Sequence, residues 1–410
     1  LTALPKVLYI VAVVLAFLAL VGMPPLLPLM LSAATFYAGY TIEQRQKRAK
    51  DQGEQKAKQE AEDLSKRPET ALNLMGVDTI ELEVGVGLVA LASGKAGQDL
   101  RDRIAALRRQ ITIELGLVIP PVRVRDNLDL GLNQYSIRIR GAEMARQEVR
   151  PDRLLAMGAG NLGIESAVAT TDPVFGVEAF WIRPDSRDRA ELVGATVIDP
   201  GSVIVTHLAE IIRRYAYDIL TRQDVKSLLD HVRKSQPVVV EELIPDLLSI
   251  GEVQRVLANL LKERVSIRDL PTILETLADK ARSSRDIDVL TETVRQNLGR
   301  HIIAPLLRQG VLTAVVLSPE AEEAIRNAID VTETGPLLNL DPAVAQNLLN
   351  NLREALKTLP SGSPPVVITS PYIRLYLRRL TERGWRDLAV VSYAEIAPEV
   401  SVRTTGVVTV

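Results

Sequence analysis

Cysteine is absent from the 410 residues, and there are only three histidines, His207, His231 and His301, set far apart along the chain. The first absence excludes disulfides, thiolate chemistry and cysteine-held zinc or iron–sulfur centres, and the second argues against a catalytic zinc site. Aromatic residues make up only 4% of the chain. Neither charge sign is in surplus: 49 basic side chains face 51 acidic ones, for a net charge of −2. That balance speaks against a nucleic-acid-binding surface spread over the chain, and no nucleic-acid partner is expected. The length suits two or three domains, each able to bury a core. Mean hydropathy is nonetheless +0.10, high for a chain that is 24% charged. The apolar residues must therefore be unevenly spread.

They are concentrated at the front. Between Lys6 and Glu43 no charged residue occurs, a run nearly long enough for two bilayer-spanning helices of about 20 residues each. Gly22-Met23-Pro24-Pro25-Leu26-Leu27-Pro28 interrupts it with helix breakers, so residues 5–21 and 26–42 read as two transmembrane helices joined by a tight turn. A cleaved signal peptide or a buried soluble hairpin are the competing readings. The lone Lys6 and the interrupted length speak against the first. The basic stretch Arg45-Gln46-Lys47-Arg48-Ala49-Lys50 marks the end of the second crossing as cytoplasmic. Since the chain opens on Leu1, it reads as a piece of a longer protein with earlier membrane segments. Residues 43–72 are expected to form a charged linker with some helix, because the stretch is dense in both charge signs and poor in large apolar groups.

Downstream the patterning is that of a soluble α+β multidomain protein. Val77–Val84 reads as a strand with one face buried. Leu100, Ile104, Leu107, Ile111 and Leu115 fall at helical spacing within 98–115, with Gly116 as the stop. Val122–Arg125 and Tyr135–Arg140 alternate as strands joined by the polar stretch 127–133. Glycine-punctuated residues up to 199 contain strands at 177–182 and 195–198, and a helix follows over 202–220. Helices are predicted at 224–231, 252–262, 267–281 and 287–299, the third capped by Ser266 with Asp269 in the capping-box position. The last hundred residues alternate again: a strand at 313–317, a helix over 319–331, a helix opening at Asp341-Pro342 and running to 359, and a strand at 366–369. A helix capped at Ser370-Pro371 and running to 383, a strand at 389–392, and a terminal hairpin turning at Thr405-Gly406 complete it.

Enzyme signatures are missing. Ser93-Gly94-Lys95-Ala96 resembles the tail of a phosphate-binding loop but lacks the magnesium-holding hydroxyl and the upstream glycine, and reads instead as a polar turn after a strand. Glu81 and Glu83 share a strand face and are expected to be solvated. His207 lies on an apolar helix face as a core or interface histidine. Arg374, Arg378, Arg379 and Arg383 make a basic helix face, read as solvated, with phosphate binding as the alternative. No catalytic residues, metal or cofactor are expected. A membrane-anchored enzyme with an unrecognised site is kept as the reading from a different class.

Longer stretches carry a resemblance. Val256-Leu257-Ala258-Asn259-Leu260-Leu261-Lys262-Glu263-Arg264-Val265-Ser266-Ile267-Arg268-Asp269-Leu270-Pro271-Thr272-Ile273-Leu274-Glu275-Thr276-Leu277-Ala278 is similar to the signature of the bacterial type III export-gate family. Pro120–Asn127, Arg150–Met157, Asp172-Pro173-Val174-Phe175-Gly176, Val205-Thr206-His207-Leu208 and Val391–Ile396 agree as well, in order along essentially the whole chain. The ending Gly406-Val407-Val408 and the Ser370-Pro371 motif look flagellar, with an injectisome member as the near alternative.

The resemblance implies an inner-membrane export gate whose cytoplasmic region has four subdomains and assembles as a nonameric ring. The corresponding parse is membrane helices at 1–42, linker at 43–72, an α/β subdomain from 73–143 with 200–222, a small α/β insert at 144–199, an all-α subdomain at 223–300 and an α/β subdomain at 301–410. Implied partners are export chaperone–substrate complexes, components of the soluble export ATPase complex and other export-gate membrane proteins. In the family, a cleft between the second and fourth subdomains docks the chaperones. Asp172, Phe175 and Thr206 match its positions, with Phe175 as apolar anchor and Asp172 and Thr206 as polar groups fixing orientation. Without the family, Phe175 reads equally well as a core aromatic.

Overall fold

The computed structural model describes residues 77–410 apart from 93, 159–162, 333–334 and 386. The expected membrane helices at 1–42 and the linker at 43–72 lie outside the described residues. Among those described, no helix is long and apolar enough to cross a membrane. Residues Asp78–Val410 form one contact unit.

Strand β1 (Ile80–Val84) is followed by the short helix α1 (Val89–Ala92) and by α2 (Gly94–Leu115). All five apolar positions read at helical spacing in α2 are buried. Gly116 stops it at φ +78°, and a Cβ there would stand 2.4 Å from the Arg268 amide nitrogen, so both conformation and space require glycine. The phosphate-loop lookalike is thus preceded by helix rather than strand, and from Gly94 onward it is the start of α2.

Strands β2 (Val122–Asp126), β3 (Gln134–Ile139) and β4 (Ala142–Glu148) complete a sheet of order β2-β1-β3-β4. β2 runs parallel to β1 and β3 antiparallel to it. The two strands read as partners across 127–133 are therefore separated by β1. A central strand is covered on both faces, which overturns the expected solvation of Glu81 and Glu83: both are buried. Glu83 is compensated by Ser136 Oγ at 3.0 Å and Asn127 Nδ2 at 2.9 Å.

A second sheet, order β6-β7-β5-β8, is built from β5 (Leu154–Met157), β6 (Val168–Thr171), β7 (Glu178–Ile182) and β8 (Thr196–Ile198), with α3 (Arg187–Leu192) before its last strand. Its Leu155, Ala179 and Trp181 enter the same core as the first sheet. Helix α4 (Pro200–Arg214) opens on Asp199, whose carboxylate accepts from the Ser202 amide. The single helix expected to Leu220 breaks at Tyr215 and resumes as α5 (Ala216–Ile219).

Helices then follow in series: α6 (Arg222–Arg233), α7 (Pro237–Leu243), α8 (Ile250–Lys262), α9 (Leu270–Ala281), α10 (Ile287–Asn297) and α11 (Gly299–Ile303). Capping boxes at Thr221/Asp224 and Ser249/Glu252 set two of the starts. The α9 start differs from expectation. Pro271 suits the first turn, so Asp269 becomes the cap and accepts from the Thr272 amide, while Ser266 Oγ donates to the Glu114 carbonyl at 2.7 Å.

The last sheet is all parallel, in the order β13-β12-β9-β14. Its strands are β9 (Val311–Leu317), β12 (Val366–Thr369), β13 (Ala389–Ser392) and β14 (Ser401–Val408). Helices α12 (Pro319–Asn327), α13 (Pro342–Leu356) and α14 (Arg374–Thr381), and the hairpin β10 (Ile329–Thr332) with β11 (Gly335–Leu338), fill the connections. Three expectations are corrected. The helix from Pro319 ends at Asn327 because β-branched Ile329 and the residues after it pair as a strand. Ser370 does not cap with its side chain, since Ile373 precedes Arg374 as the cap residue, and the Ser370 carbonyl accepts from the Ile373 and Arg374 amides. Thr405-Gly406 is a bulge within one continuous strand, not a hairpin turn.

Candidate functional site

Two of the three predicted residues lie in the turn between β6 and β7. The Asp172 amide donates to the Val177 carbonyl at 2.9 Å, and the Gly176 amide donates to the Asp172 carbonyl at 3.0 Å with Gly176 at φ +66°. Asp172 itself is buried. Its Oδ2 accepts from the Val174 amide at 3.0 Å and from the Phe175 amide at 2.6 Å. Pro173 adds a fixed φ between them. The turn is thus clasped from inside by a carboxylate, and the side chain at its tip points outward: Phe175 is 69% exposed. The core-aromatic reading of Phe175 is overturned.

Thr206 is exposed on α4, whose opposite face buries Val203, Ile204, His207, Leu208, Ile211 and Ile212. Its neighbour His207 shares a 2.8 Å hydrogen bond with the Tyr135 hydroxyl through Nδ1, the two rings meeting edge-on at 5.8 Å. Burial, and secondarily the Arg214 charge, lower the His207 pKa, against the opposing pull of Asp172 and Glu210. Burial and then the Asp172 charge raise that of Tyr135. Both groups are therefore neutral near pH 7.

The arginine face is divided: Arg379 and Arg383 are exposed, as the solvated reading expected, whereas Arg374 and Arg378 are withdrawn from solvent into ion pairs within the chain. Arg374 has no exposed surface; it donates to both oxygens of Glu263 and to both oxygens of Glu292. Arg295 bonds Glu395 at 2.9 Å and lies 3.3 Å from Glu263. Arg378 donates to the Leu388 carbonyl and Arg379 to Asp288, while Arg383 stays exposed. The helix places Arg374 on one stripe with Leu377 and Thr381, all buried, so the charge stands at a core position. A cavity of about 510 Å³ next to this cluster is lined by Glu263, Arg264, Arg295, His301 and Val390, away from Asp172 and Phe175. Several of its charges are already paired: Arg264 with Glu210 and Asp387, Arg213 with Glu114, and Arg295 with Glu263. Among the described residues no group of three histidines or acids is placed to hold a metal.

Comparison with known proteins gives a consistent outcome. The FHIPEP family matches residues 1–401. A curated relative, the flagellar biosynthesis protein FlhA of Bacillus subtilis, is 40% identical over 413 aligned positions, covering 99% of this chain and 61% of the relative. The chain thus spans about three fifths of that relative's length. Among solved structures, the Chlamydia pneumoniae CdsV protein superposes with a TM-score of 0.73 at 29% identity, over 82% of this chain and 99% of CdsV. The same protein solved in complex with CdsO also scores 0.73, at 30% identity over 81% of this chain and 97% of that one.

Proposed function

The chain belongs to the FHIPEP family, and from that premise we propose that it is the export-gate component of a flagellar type III secretion apparatus. In this reading its cytoplasmic region docks export chaperone–substrate complexes and hands the substrates to a membrane channel. The observation that carries the docking assignment is the exposed Phe175 on a turn clasped by the buried Asp172 carboxylate. Exposing a large ring costs apolar contact with the core, and a rigid, outward aromatic is the usual anchor of a protein interface. Thr206, exposed on α4, supplies a polar group for orientation.

The wider assembly follows the family resemblance. Residues 1–42 anchor the chain in the inner membrane, 43–72 link it to four cytoplasmic subdomains, and nine copies form a ring. Components of the soluble export ATPase complex and other export-gate membrane proteins are its further partners. The Chlamydia relative solved together with CdsO supports a soluble protein partner for this fold. The 40% identity to a flagellar relative favours the flagellar branch over an injectisome role. The chain works by docking, not by catalysis.

The test is affinity of the purified chain for chaperone–substrate complexes of the same flagellar system. Wild type binds, and Asp172→Ala combined with Phe175→Ala weakens binding at least tenfold. Unchanged affinity in that double variant would remove the site from this turn.

A further inference from the structure

We propose that Tyr135 and His207 are positioning residues of the docking site: their buried hydrogen bond sets the Phe175 turn in register with the helix face that presents Thr206. This rests on the docking reading above and names what holds its two halves together.

The pair is costly by composition. Tyr135 is fully buried on β3, between Val84 of β1 and Gln147 of β4, and His207 is buried on an otherwise apolar face of α4. Phenylalanine and leucine would fill comparable space without removing a hydroxyl and an imidazole from water, a desolvation that one hydrogen bond only about offsets. What the polar pair adds over an apolar one is direction: a 2.8 Å bond joins elements 72 positions apart and fixes how far α4 slides and rotates against the first sheet. Thr206 is the next residue on that helix, so its place at the surface follows the bond.

The turn is tied to the same part of the fold through its own sheet. Asp172, which clasps the turn, is buried. Its Oδ2 is already engaged by the Val174 and Phe175 amides. The second sheet that carries the turn shares the apolar core beneath α4, through Leu155, Ala179 and Trp181, and α4 packs on β5. A change in the seat of α4 therefore alters the surroundings of the carboxylate that clasps Phe175. Besides Asp172, the charged groups acting on His207 are Arg214 and Glu210 of its own helix.

The experiment uses the full chain with Tyr135→Phe, which keeps the ring, and with the double substitution Tyr135→Phe/His207→Leu, which removes both polar partners. Hydrogen–deuterium exchange of the peptide spanning 172–176, the thermal midpoint, and affinity for a purified chaperone–substrate complex are measured on each. Tyr135→Phe is expected to raise exchange of the turn amides about tenfold and weaken binding about fivefold. In the double variant the thermal midpoint recovers, because no buried partner is left unpaired, while exchange stays fast and binding weak. The proposal is overturned if exchange in Tyr135→Phe matches wild type, or if exchange and affinity recover together with the midpoint in the double variant. Faster exchange in a chain whose wild type binds no such complex would uphold the positioning role and remove the docking reading instead.

Discussion

Arg374 reaches Glu263 across 111 positions of sequence and holds both of its carboxylate oxygens, at 2.8 Å through Nη1 and 3.0 Å through Nη2. The contact ties α14 of the last sheet to the end of α8 in the helical region. Arg295 and Glu292 of α10 and Glu395 after β13 complete the cluster. Three arginines, counting Arg378 at 3.9 Å from Glu263, face three acids in a region nearly closed to water. Ion pairs so placed are weak contributors relative to an apolar core, but breaking one strands a charge.

Arg374→Met should accordingly destabilise the chain by roughly 3–5 kcal/mol, because Glu263 and Glu292 lose their shared partner while still buried. Arg374→Lys should restore only a small part of that, since an ammonium cannot span two carboxylates with paired donors. Denaturant unfolding of the three proteins decides it. A midpoint for the methionine variant equal to that of wild type would refute the role assigned to the cluster.

The cluster also dictates an acid limb in stability. Burial pushes the Glu263 carboxyl up, but the charges of Arg295 and Arg374 outweigh it and hold the pKa at about 2. A carboxyl lowered on folding contributes stability that is complete above its unfolded value near 4.5 and lost as pH falls through the folded value. About 3 kcal/mol should therefore disappear between pH 5 and pH 2. Glu292 behaves oppositely: burial holds its carboxyl above the ordinary value despite Arg374, so its contribution declines as pH rises above about 4.5. The two windows meet only around the shared unfolded value of 4.5 and extend in opposite directions from it. Glu263→Gln should flatten the pH 5 to 2 limb and Glu292→Gln should leave it, as read from unfolding midpoints against pH. An equally steep limb in Glu263→Gln would contradict this account.

The elements of the fold were legible where one face alternates with solvent. The α2 stripe from Leu100 to Leu115 is an ordinary amphipathic pattern, buried as expected, and the helix read over 252–262 is α8, which buries Val253, Val256, Leu257, Leu260 and Leu261. What failed depended on distant partners. Glu81 and Glu83 look solvated until β1 is seen to lie between β2 and β3. Thr405-Gly406 has the composition of a turn, yet parallel pairing with β9 continues past it on both sides. Arg374 reads as surface because its three acidic neighbours come from other elements. The same holds for the turn between β6 and β7. Family resemblance pointed to Asp172 and Phe175, but the contrast between them, one side chain buried and clasping the turn and the other exposed at its tip, appears only once the hydrogen bonds of Asp172 are seen.

Gly299 marks a second place where the helical region and the last sheet meet closely. A Cβ there would stand 2.2 Å from the Glu395 carbonyl oxygen and within 3 Å of two further backbone atoms of that residue. Backbone cannot swing aside as a side chain can, so Gly299→Ala must separate α11 from the segment that carries Glu395. The bond from Arg295 Nε to Glu395, 2.9 Å long, would stretch with it. A loss of roughly 1–3 kcal/mol is expected, typical of overpacking. It should be non-additive with Arg295→Met, because both act on the same contact. A thermal midpoint within about 1 °C of wild type would mean that the two segments are free to part.

Asp172 and Phe175 should separate stability from docking. Phe175→Ala removes a ring that is mostly in water already, so the unfolding free energy should stay within about 0.5 kcal/mol of wild type. Affinity for a chaperone–substrate complex should nevertheless fall by 2 kcal/mol or more, about thirtyfold, if the ring is the anchor of the interface. Asp172→Ala should weaken docking comparably but by another route. It leaves the Val174 and Phe175 amides without their acceptor in a part-buried turn, at a cost of about 1–3 kcal/mol to the fold. Asp172→Asn keeps an acceptor oxygen for the two amides and should recover most of the stability and most of the affinity. Calorimetric titration beside a denaturation curve for each variant distinguishes these outcomes. A Phe175→Ala chain that binds as wild type does, or an Asp172→Asn chain no better than Asp172→Ala, would show that this turn is not the docking element.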